Sequence, residues 1–251
     1  MLLLHGLFGM GSNLGAMARA LSDTFAVHQL DLPNHGRSQW MAQMDLPRLA
    51  GAIAAYMDEA ALASAHVIGH SLGGKVAMQL AMDRPERVER LLVADIAPVA
   101  YEASHGAVFQ ALAAVRSAQP QSRSEAADLL RDSIEEEAVV QFLLLSLKRD
   151  PSGCYVWRFN AEGLERDYAR ILEAPQGAGF DGPVLLIHGA DSNYVRTDGE
   201  AAARALFPKL HLVTIEGTGH WLHVEKPTEF NAAVRSFLTA DSGELAEAAS
   251  W

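Results

Sequence analysis

The chain has 251 residues, 49% of them hydrophobic, and can therefore bury one substantial core. Its 20 basic and 31 acidic residues give a formal net charge of −11, which argues against nucleic-acid binding because that activity needs a basic footprint. The single cysteine, Cys154, excludes an internal disulfide and any cysteine-rich metal site. No apolar run approaches the roughly 20 residues that span a bilayer. Met1 to Leu4 reads as a strand and not as a signal peptide, so we expect a cytoplasmic protein.

Apolar runs typical of buried strands alternate with segments of helical spacing along most of the chain. The predicted strands are residues 2–4, 26–30, 66–68, 91–94, 184–187 and 210–215. The predicted helices are residues 14–21, 46–62, 72–82, 197–207 and 228–238. Continuous apolar strands separated by amphipathic helices indicate an α/β protein with a parallel sheet covered on both faces.

This alternation stops between residues 99 and 180, where several helical segments follow one another without a core strand. We expect a helical cap insertion and return helix there, with the core formed by residues 1–98 and 181–240. Residues 241–251 are rich in Ala, Glu and Ser and are predicted to be a loosely held tail.

The most specific motif is Gly69-His70-Ser71-Leu72-Gly73-Gly74, which follows the apolar run 65–68. It fits the pattern Gly-x-Ser-x-Gly at a point where a buried strand turns sharply into a helix. Such a turn strains the serine backbone and exposes its hydroxyl. The pattern alone occurs often by chance, but its position between strand and helix predicts that Ser71 is a nucleophile.

A serine hydroxyl needs a histidine base within hydrogen-bond reach and a carboxylate that orients the base. His220 is the leading base, because it follows the last predicted strand in a glycine-containing loop. His5 and His35 lie in glycine-rich turns and are expected to shape the pocket. The side chain of His70 should point away from the hydroxyl of Ser71. His223 is the weaker candidate for the base because it starts the following turn.

Two aspartates are eligible as the acid. Asp95 ends the strand after the Ser71 helix, and Asp191 follows the next core strand. Both strand ends face the same edge of a parallel sheet as Ser71. An aspartate at a strand end also commonly caps a loop, and spacing leaves both candidates open.

The oxyanion hole of such a site uses two backbone N–H groups. Leu72 supplies one by its position after Ser71. Leu7 is the leading candidate for the other, in His5-Gly6-Leu7-Phe8-Gly9, and Phe8 is the second choice. Glycine-rich sequence can also bind phosphate, but neither a dinucleotide fingerprint nor a lysine-bearing phosphate loop is present.

Taken together, these motifs resemble those of the α/β-hydrolase superfamily, and within it a group of small bacterial esterases related to abhydrolase-domain-containing protein 11. The resemblance covers residues 2 to about 238 and rests on segments 5–9, 31–38, 69–75, 95–99, 156–160 and 219–221. It implies a mostly parallel central sheet flanked by helices, with a small inserted helical cap. The fold normally opens with an antiparallel strand pair before the His-Gly strand, whereas here that strand begins at Leu2.

The resemblance also bears on the choice of acid. Members of this esterase group carry serine where most of the superfamily has its acid, and Ser192 aligns with that position. The resemblance therefore favours Asp95 as the acid, with Ser192 as an added hydrogen-bond partner of the histidine. Asp191 stays an alternative. Glu162 aligns with an acidic position assigned in some relatives, but its neighbours indicate an exposed helix.

We expect hydrolysis of carboxylic esters or thioesters of short to medium acyl chains through a covalent acyl-enzyme. No metal or organic cofactor is predicted. Two alternatives are another reaction on the same fold, such as carbon–carbon bond hydrolysis or a lyase-like step, and a non-catalytic ligand receptor.

For Trp157 and Tyr101, packing of the cap onto the core is an equal alternative to a substrate contact. The predicted substrate-binding residues are Phe8, Asn34, Tyr101, Trp157, Tyr194 and Trp221.

Overall fold

A computed structural model gives the fold of the protein and describes residues 1–240. The tail predicted at 241–251 lies outside the described residues. The strands are β1 Leu2–Leu4, β2 His28–Leu30, β3 Ala65–His70, β4 Val88–Ala94, β5 Leu147–Arg149, β6 Tyr155–Trp157, β7 Val184–Gly189 and β8 Leu210–Ile215. The helices are α1 Gly15–Leu21, α2 Leu46–Glu59, α3 Leu72–Asp83, α4 Gly106–Ala118, α5 Arg123–Arg131, α6 Glu137–Leu145, α7 Ala161–Arg166, α8 Tyr168–Leu172, α9 Thr197–Leu206, α10 Leu222–Glu225 and α11 Pro227–Thr239.

The central sheet has six strands in the order β2-β1-β3-β4-β7-β8. Every neighbouring pair in it is parallel. The six strands predicted from apolar runs are therefore confirmed, and so is the α/β-hydrolase fold. Because all six strands run the same way, their carboxyl ends lie along one edge of the sheet.

Both faces of the sheet are covered because its strands are apolar on both sides. In β1, Leu2 and Leu4 join one core cluster while Leu3 joins the other, as the two-residue period of a strand requires. The first cluster contains the apolar faces of α2 and α3, and the second those of α1 and α11. Helix α2 ends earlier than predicted, at Glu59, and Ala61 follows with a left-handed φ of 53°.

Residues between β4 and β7 form a separate helical layer above the carboxyl edge of the sheet. Helices α4 to α8 lie in this segment, and many of its buried residues share the α2–α3 core cluster. It also contains an antiparallel hairpin, β5 and β6, that the sequence patterns did not predict. The hairpin turn depends on Asp150, whose side chain accepts N–H bonds from Ser152 and Cys154, and on Gly153 at φ 95°. Three-residue strands are too short to show an alternating pattern.

Within residues 1–240, no helix combines the length and the apolar character that crossing a membrane requires.

Candidate active site

Ser71 lies at the turn between β3 and α3 in a strained backbone conformation, with φ 54° and ψ −121°. Its N–H donates to the carbonyl of Ala94, which ties the turn to β4. The flanking glycines are required by close packing. A Cβ atom at Gly69 would lie 2.1 Å from the carbonyl oxygen of Gly73, and one at Gly73 would lie 2.3 Å from that of Leu4. This geometry is that of a nucleophile elbow.

Asp95 follows β4 and is completely buried. Its left-handed φ of 53° is one that aspartate tolerates better than most residues. Nδ1 of His220 donates to Oδ2 of Asp95 over 2.6 Å. The hydroxyl of Ser192 donates to the same oxygen, and the N–H of Gly189 donates to Oδ1 over 3.1 Å. Both oxygens of the buried carboxylate are thus hydrogen-bonded, by groups from β7, from the loop after β7 and from the loop after β8.

The two other acidic candidates lie elsewhere. Asp191 is exposed, and its backbone N–H donates to the carbonyl of Thr218. Glu162 is on α7, where its exposed side chain forms an ion pair with Arg116. Of the three carboxylates, the structure brings only Asp95 to His220.

Aromatic rings enclose the imidazole of His220. The ring of Tyr194 stacks on it at a centroid distance of 4.1 Å, and the ring of His70 lies 4.7 Å away. The hydroxyl of Tyr101 accepts the N–H of Ala97 and donates to the carbonyl of Tyr194. Burial raises the pKa of both tyrosines, which therefore stay neutral hydrogen-bonding groups. These contacts fix the orientation of the His220 ring.

Two buried histidines shape the loop after β1. Nε2 of His5 accepts the N–H of Leu32, and Nε2 of His35 accepts the N–H of Phe8 over 3.2 Å. Burial lowers the pKa of His5 to about 4 and that of His35 to about 3, so both rings are neutral acceptors at neutral pH. Within residues 1–240, the N–H groups of Leu7 and Leu72 have no hydrogen-bond acceptor. The amide of Phe8, by contrast, is already engaged.

A cavity of about 620 Å³ opens onto Ser71 and His220. Among the predicted substrate-binding residues, Phe8, Tyr101, Tyr194 and Trp221 line it. The helical layer contributes an apolar wall that the sequence analysis missed, namely Val108, Ile134, Val139, Phe142 and Leu143. The signal was the spacing of Val139 and Phe142 on α6, which places both on one helix face beside the buried face.

Asn34 and Trp157 lie away from this cavity. Asn34 is buried, and its side-chain oxygen accepts the N–H of Met41 and the side-chain N–H of Asn160. Its backbone carbonyl accepts the backbone N–H of Asn160. Trp157 stacks on Phe159 at 5.1 Å, and its indole N–H donates to a carbonyl of α4. Asn34 thus joins the core to the helical layer, whereas Trp157 holds β6 against α4 within that layer, and we assign neither a substrate contact.

A family model described as the alpha/beta hydrolase family matches residues 1–233. The chain belongs to the alpha/beta hydrolase family. It is 37% identical over 237 residues to esterase YbfF of Escherichia coli, a match that covers 94% of this chain and 91% of that protein. It is 35% identical over 244 residues to the mouse sn-1-specific diacylglycerol lipase ABHD11, covering 94% of this chain and 79% of the mouse protein. A solved marine microorganism esterase superposes with a TM-score of 0.91 at 33% identity and 94% coverage of both chains.

One cavity residue of this hydrolase stands out by its charge. Lys75 lies one turn beyond Ser71 on α3 and is buried, and its ammonium donates to the carbonyls of Leu172 and Glu173, each over 2.7 Å. Burial lowers the pKa of Lys75 to about 7, although the nearby carboxylate of Glu173 opposes that shift. Lys75 thereby holds the end of α8 against the Ser71 helix. Sequence reasoning assigned it no role.

Proposed function

We propose that the protein is a serine hydrolase that cleaves carboxylic esters of short to medium acyl chains through a covalent acyl-enzyme. In this proposal Ser71 is the nucleophile, His220 the base and Asp95 the acid. The observation that carries it is the 2.6 Å bond from His220 to the buried carboxylate of Asp95, at a cavity that Ser71 and His220 both line. The esterase and lipase names of the relatives support ester hydrolysis over the other reactions of the fold.

The chemistry follows from the groups at the cavity. Ser71 Oγ attacks the ester carbonyl carbon while Nε2 of His220 takes the hydroxyl proton. Asp95 holds Nδ1–H and stabilises the imidazolium. Collapse of the tetrahedral intermediate breaks the bond to the alkoxy oxygen, which receives the proton from His220 and leaves as an alcohol. His220 then takes a proton from water, whose oxygen attacks the acyl carbon of the acyl-enzyme. Collapse of this second intermediate breaks the bond to Ser71 Oγ, which receives the proton back from His220, and releases the carboxylic acid.

We assign the oxyanion hole to the amides of Leu7 and Leu72. Both N–H groups lack an acceptor within the described residues, so each is available to a developing oxyanion. The bond from the N–H of Phe8 to His35 supports Leu7 over Phe8 as the second donor. His35, as a neutral acceptor, therefore supports the conformation that leaves the Leu7 amide open.

The charges at the cavity favour neutral substrates. Glu135 and Glu136 line it, and its lysine, Lys75, is already held by two carbonyls. An acyl-CoA thioester carries several phosphates, which need cationic partners and are repelled by these carboxylates. We therefore propose that neutral esters react faster than acyl-CoA thioesters of the same acyl chain.

Active-site labelling tests the proposed function most directly. A fluorophosphonate probe should label the wild-type protein on Ser71, and the Ser71→Ala variant should lose labelling and at least about 10³-fold in kcat on an aryl ester. Unchanged activity of Ser71→Ala would refute the assignment, and a wild-type protein without labelling or turnover would indicate a ligand receptor.

A substrate panel tests the substrate class. Aryl esters from acetate to dodecanoate, assayed beside the matching acyl-CoA thioesters, should give higher kcat/KM for the neutral esters. The Glu135→Gln/Glu136→Gln variant should narrow that difference, most clearly at low ionic strength, because salt screens exposed charges. Equal preference for both substrate types in both proteins would contradict the charge argument.

A further inference from the structure

Two side chains outside the proposed catalytic set hold the backbone on both sides of His220. Nε2 of His70 donates to the carbonyl oxygen of His220 over 2.8 Å. The carboxylate of Glu225 accepts the N–H of Gly219 over 2.7 Å and that of Trp221 over 3.2 Å, with a different oxygen for each. The carbonyl of His220 and the amides of both its neighbours are therefore bound by side chains.

His70 is well placed to link the parts of the site. It is the last residue of β3, adjacent to Ser71, and only 5% of it is exposed. Its ring lies 4.7 Å from that of His220 and 4.5 Å from that of His223. A Cβ atom at Gly6 would lie 3.2 Å from Nδ1 of His70, so the ring packs directly on the loop that carries the Leu7 amide. One imidazole thus contacts the nucleophile strand, the oxyanion loop and the base loop.

The backbone carbonyl that binds His70 determines which ring nitrogen of His70 carries the proton. A backbone carbonyl only accepts hydrogen bonds, so Nε2 of His70 carries the proton. Burial, followed by the neighbouring histidines His223 and His220, lowers the pKa of His70 well below its usual value. The ring is therefore neutral at neutral pH, and the bond does not place a second cation beside the imidazolium formed during catalysis.

The loop that carries His220 needs such bonds because its glycine residues allow several backbone conformations. Gly217 has a left-handed φ of 60°, and Gly219 immediately precedes His220. The bond from Nδ1 to Asp95 orients the ring of His220, but it leaves the position of the loop backbone to other contacts. A reacting group that moves by about 1 Å loses on the order of 100-fold in rate.

We propose that His70 and Glu225 are positioning residues that clamp the backbone of the His220 loop and keep Nε2 of His220 within reach of Ser71. The clamp acts on proton transfer, so it affects kcat and leaves substrate binding nearly unchanged. This inference rests on the proposed function, because it takes His220 as the base.

Matched glutamine and methionine variants test the clamp. Glutamine and methionine have the same length, but only glutamine carries an N–H donor near the position of Nε2. His70→Met should lower kcat about 10- to 100-fold with KM within about 2-fold, whereas His70→Gln should recover most of the loss. Glu225 is exposed, so Glu225→Met keeps the protein folded and should lower kcat in the same way. Thermal unfolding of each variant separates loss of fold from loss of rate.

Three results would overturn the clamp. The first is a kcat of His70→Met and Glu225→Met equal to that of the wild type. The second is an equal loss of kcat in His70→Gln and His70→Met. The third is an effect of the substitutions on KM alone, with kcat unchanged. Failure of the proposed function looks different, because wild-type turnover would then be absent or independent of Ser71. The Ser71→Ala variant assayed in the same series distinguishes the two failures.

Discussion

Ser192 donates its hydroxyl hydrogen bond to Oδ2 of Asp95, the same carboxylate oxygen that accepts Nδ1–H of His220. Ser192 also accepts the N–H of Tyr194, whose ring stacks on His220. The serine therefore supports the acid directly and the ring face of the base indirectly.

Removing the hydroxyl of Ser192 should slow the reaction without abolishing it. A hydrogen bond to a charged group contributes about 1.5–3 kcal/mol, so Ser192→Ala should lower kcat about 10-fold or more. Steady-state kinetics on a short-chain aryl ester measures the effect. A Ser192→Ala variant as inactive as Ser71→Ala would instead make Ser192 essential to the chemistry.

Replacing the two strand-end aspartates in parallel tests the choice of acid. Asp95→Asn keeps the shape of the side chain but removes the charge that stabilises the imidazolium, and we expect kcat to fall about 10³- to 10⁴-fold. Asp191→Asn, at an exposed carboxylate one residue before Ser192, should keep activity within about 2-fold of the wild type, as surface changes usually do. A selective loss in Asp191→Asn would reverse the assignment.

The apolar wall of the cavity should set the preferred acyl length. Val139→Phe adds bulk to the wall, so the preferred acyl chain should become shorter. Phe142→Ala removes bulk from the wall, so the preferred acyl chain should become longer. Each methylene that gains or loses burial changes kcat/KM about 4-fold, from about 0.8 kcal/mol. The aryl ester series measures the shift. Leu145→Ala, an exposed position on the same helix outside the cavity, is the matched control and should leave the profile unchanged.

The buried histidines behind the oxyanion loop should make the fold acid-labile. In the folded protein the pKa is about 4 for His5 and about 3 for His35, below the ordinary value of 6.5. Between pH 6.5 and these lower values the unfolded chain therefore binds more protons than the folded protein. Their contribution to stability is therefore complete above pH 6.5 and is lost as the pH falls from 6.5 towards 3–4. In that range each ring contributes a slope of up to about 1.4 kcal/mol per pH unit to the free energy of unfolding.

Urea unfolding between pH 7 and pH 5 tests this expectation. His35→Gln removes one titrating ring, and its stability should depend less steeply on pH than that of the wild type. Parallel pH profiles for the two proteins would show that the buried ring at 35 is not the source of the acid lability.

The sheet and its helices were predictable because apolar runs alternate in chain order with segments of helical spacing, even where a strand is as short as Leu2–Leu4. The sharp turn at Ser71 was predictable from local sequence, since such a turn needs glycine at fixed neighbouring positions. The choice between Asp95 and Asp191 was not available from spacing, because both follow neighbouring parallel strands. It depends on burial and on the backbone at Asp95, which turns inward with a positive φ.

The helical layer was the least predictable part. Helices α5 to α8 have nine residues or fewer. Helix α6 is apolar on the face towards the cavity as well as on the face towards the core, so no single stripe marks the cavity wall. Asn34 and Trp157 have residue types typical of pockets, yet their polar groups are used in holding two parts of the chain together. Side-chain identity alone does not distinguish these two uses.

The direct pairing of β4 with β7 has an evolutionary consequence. The chain leaves the sheet after one of these strands and returns at its immediate neighbour, so the hydrogen-bond ladder is complete without the residues between them. Insertions, deletions or exchanges in the intervening segment can therefore accumulate while Ser71, Asp95 and His220 stay anchored to the sheet edge. Substrate preference can therefore change through this segment without disturbing the residues that we propose carry out the reaction.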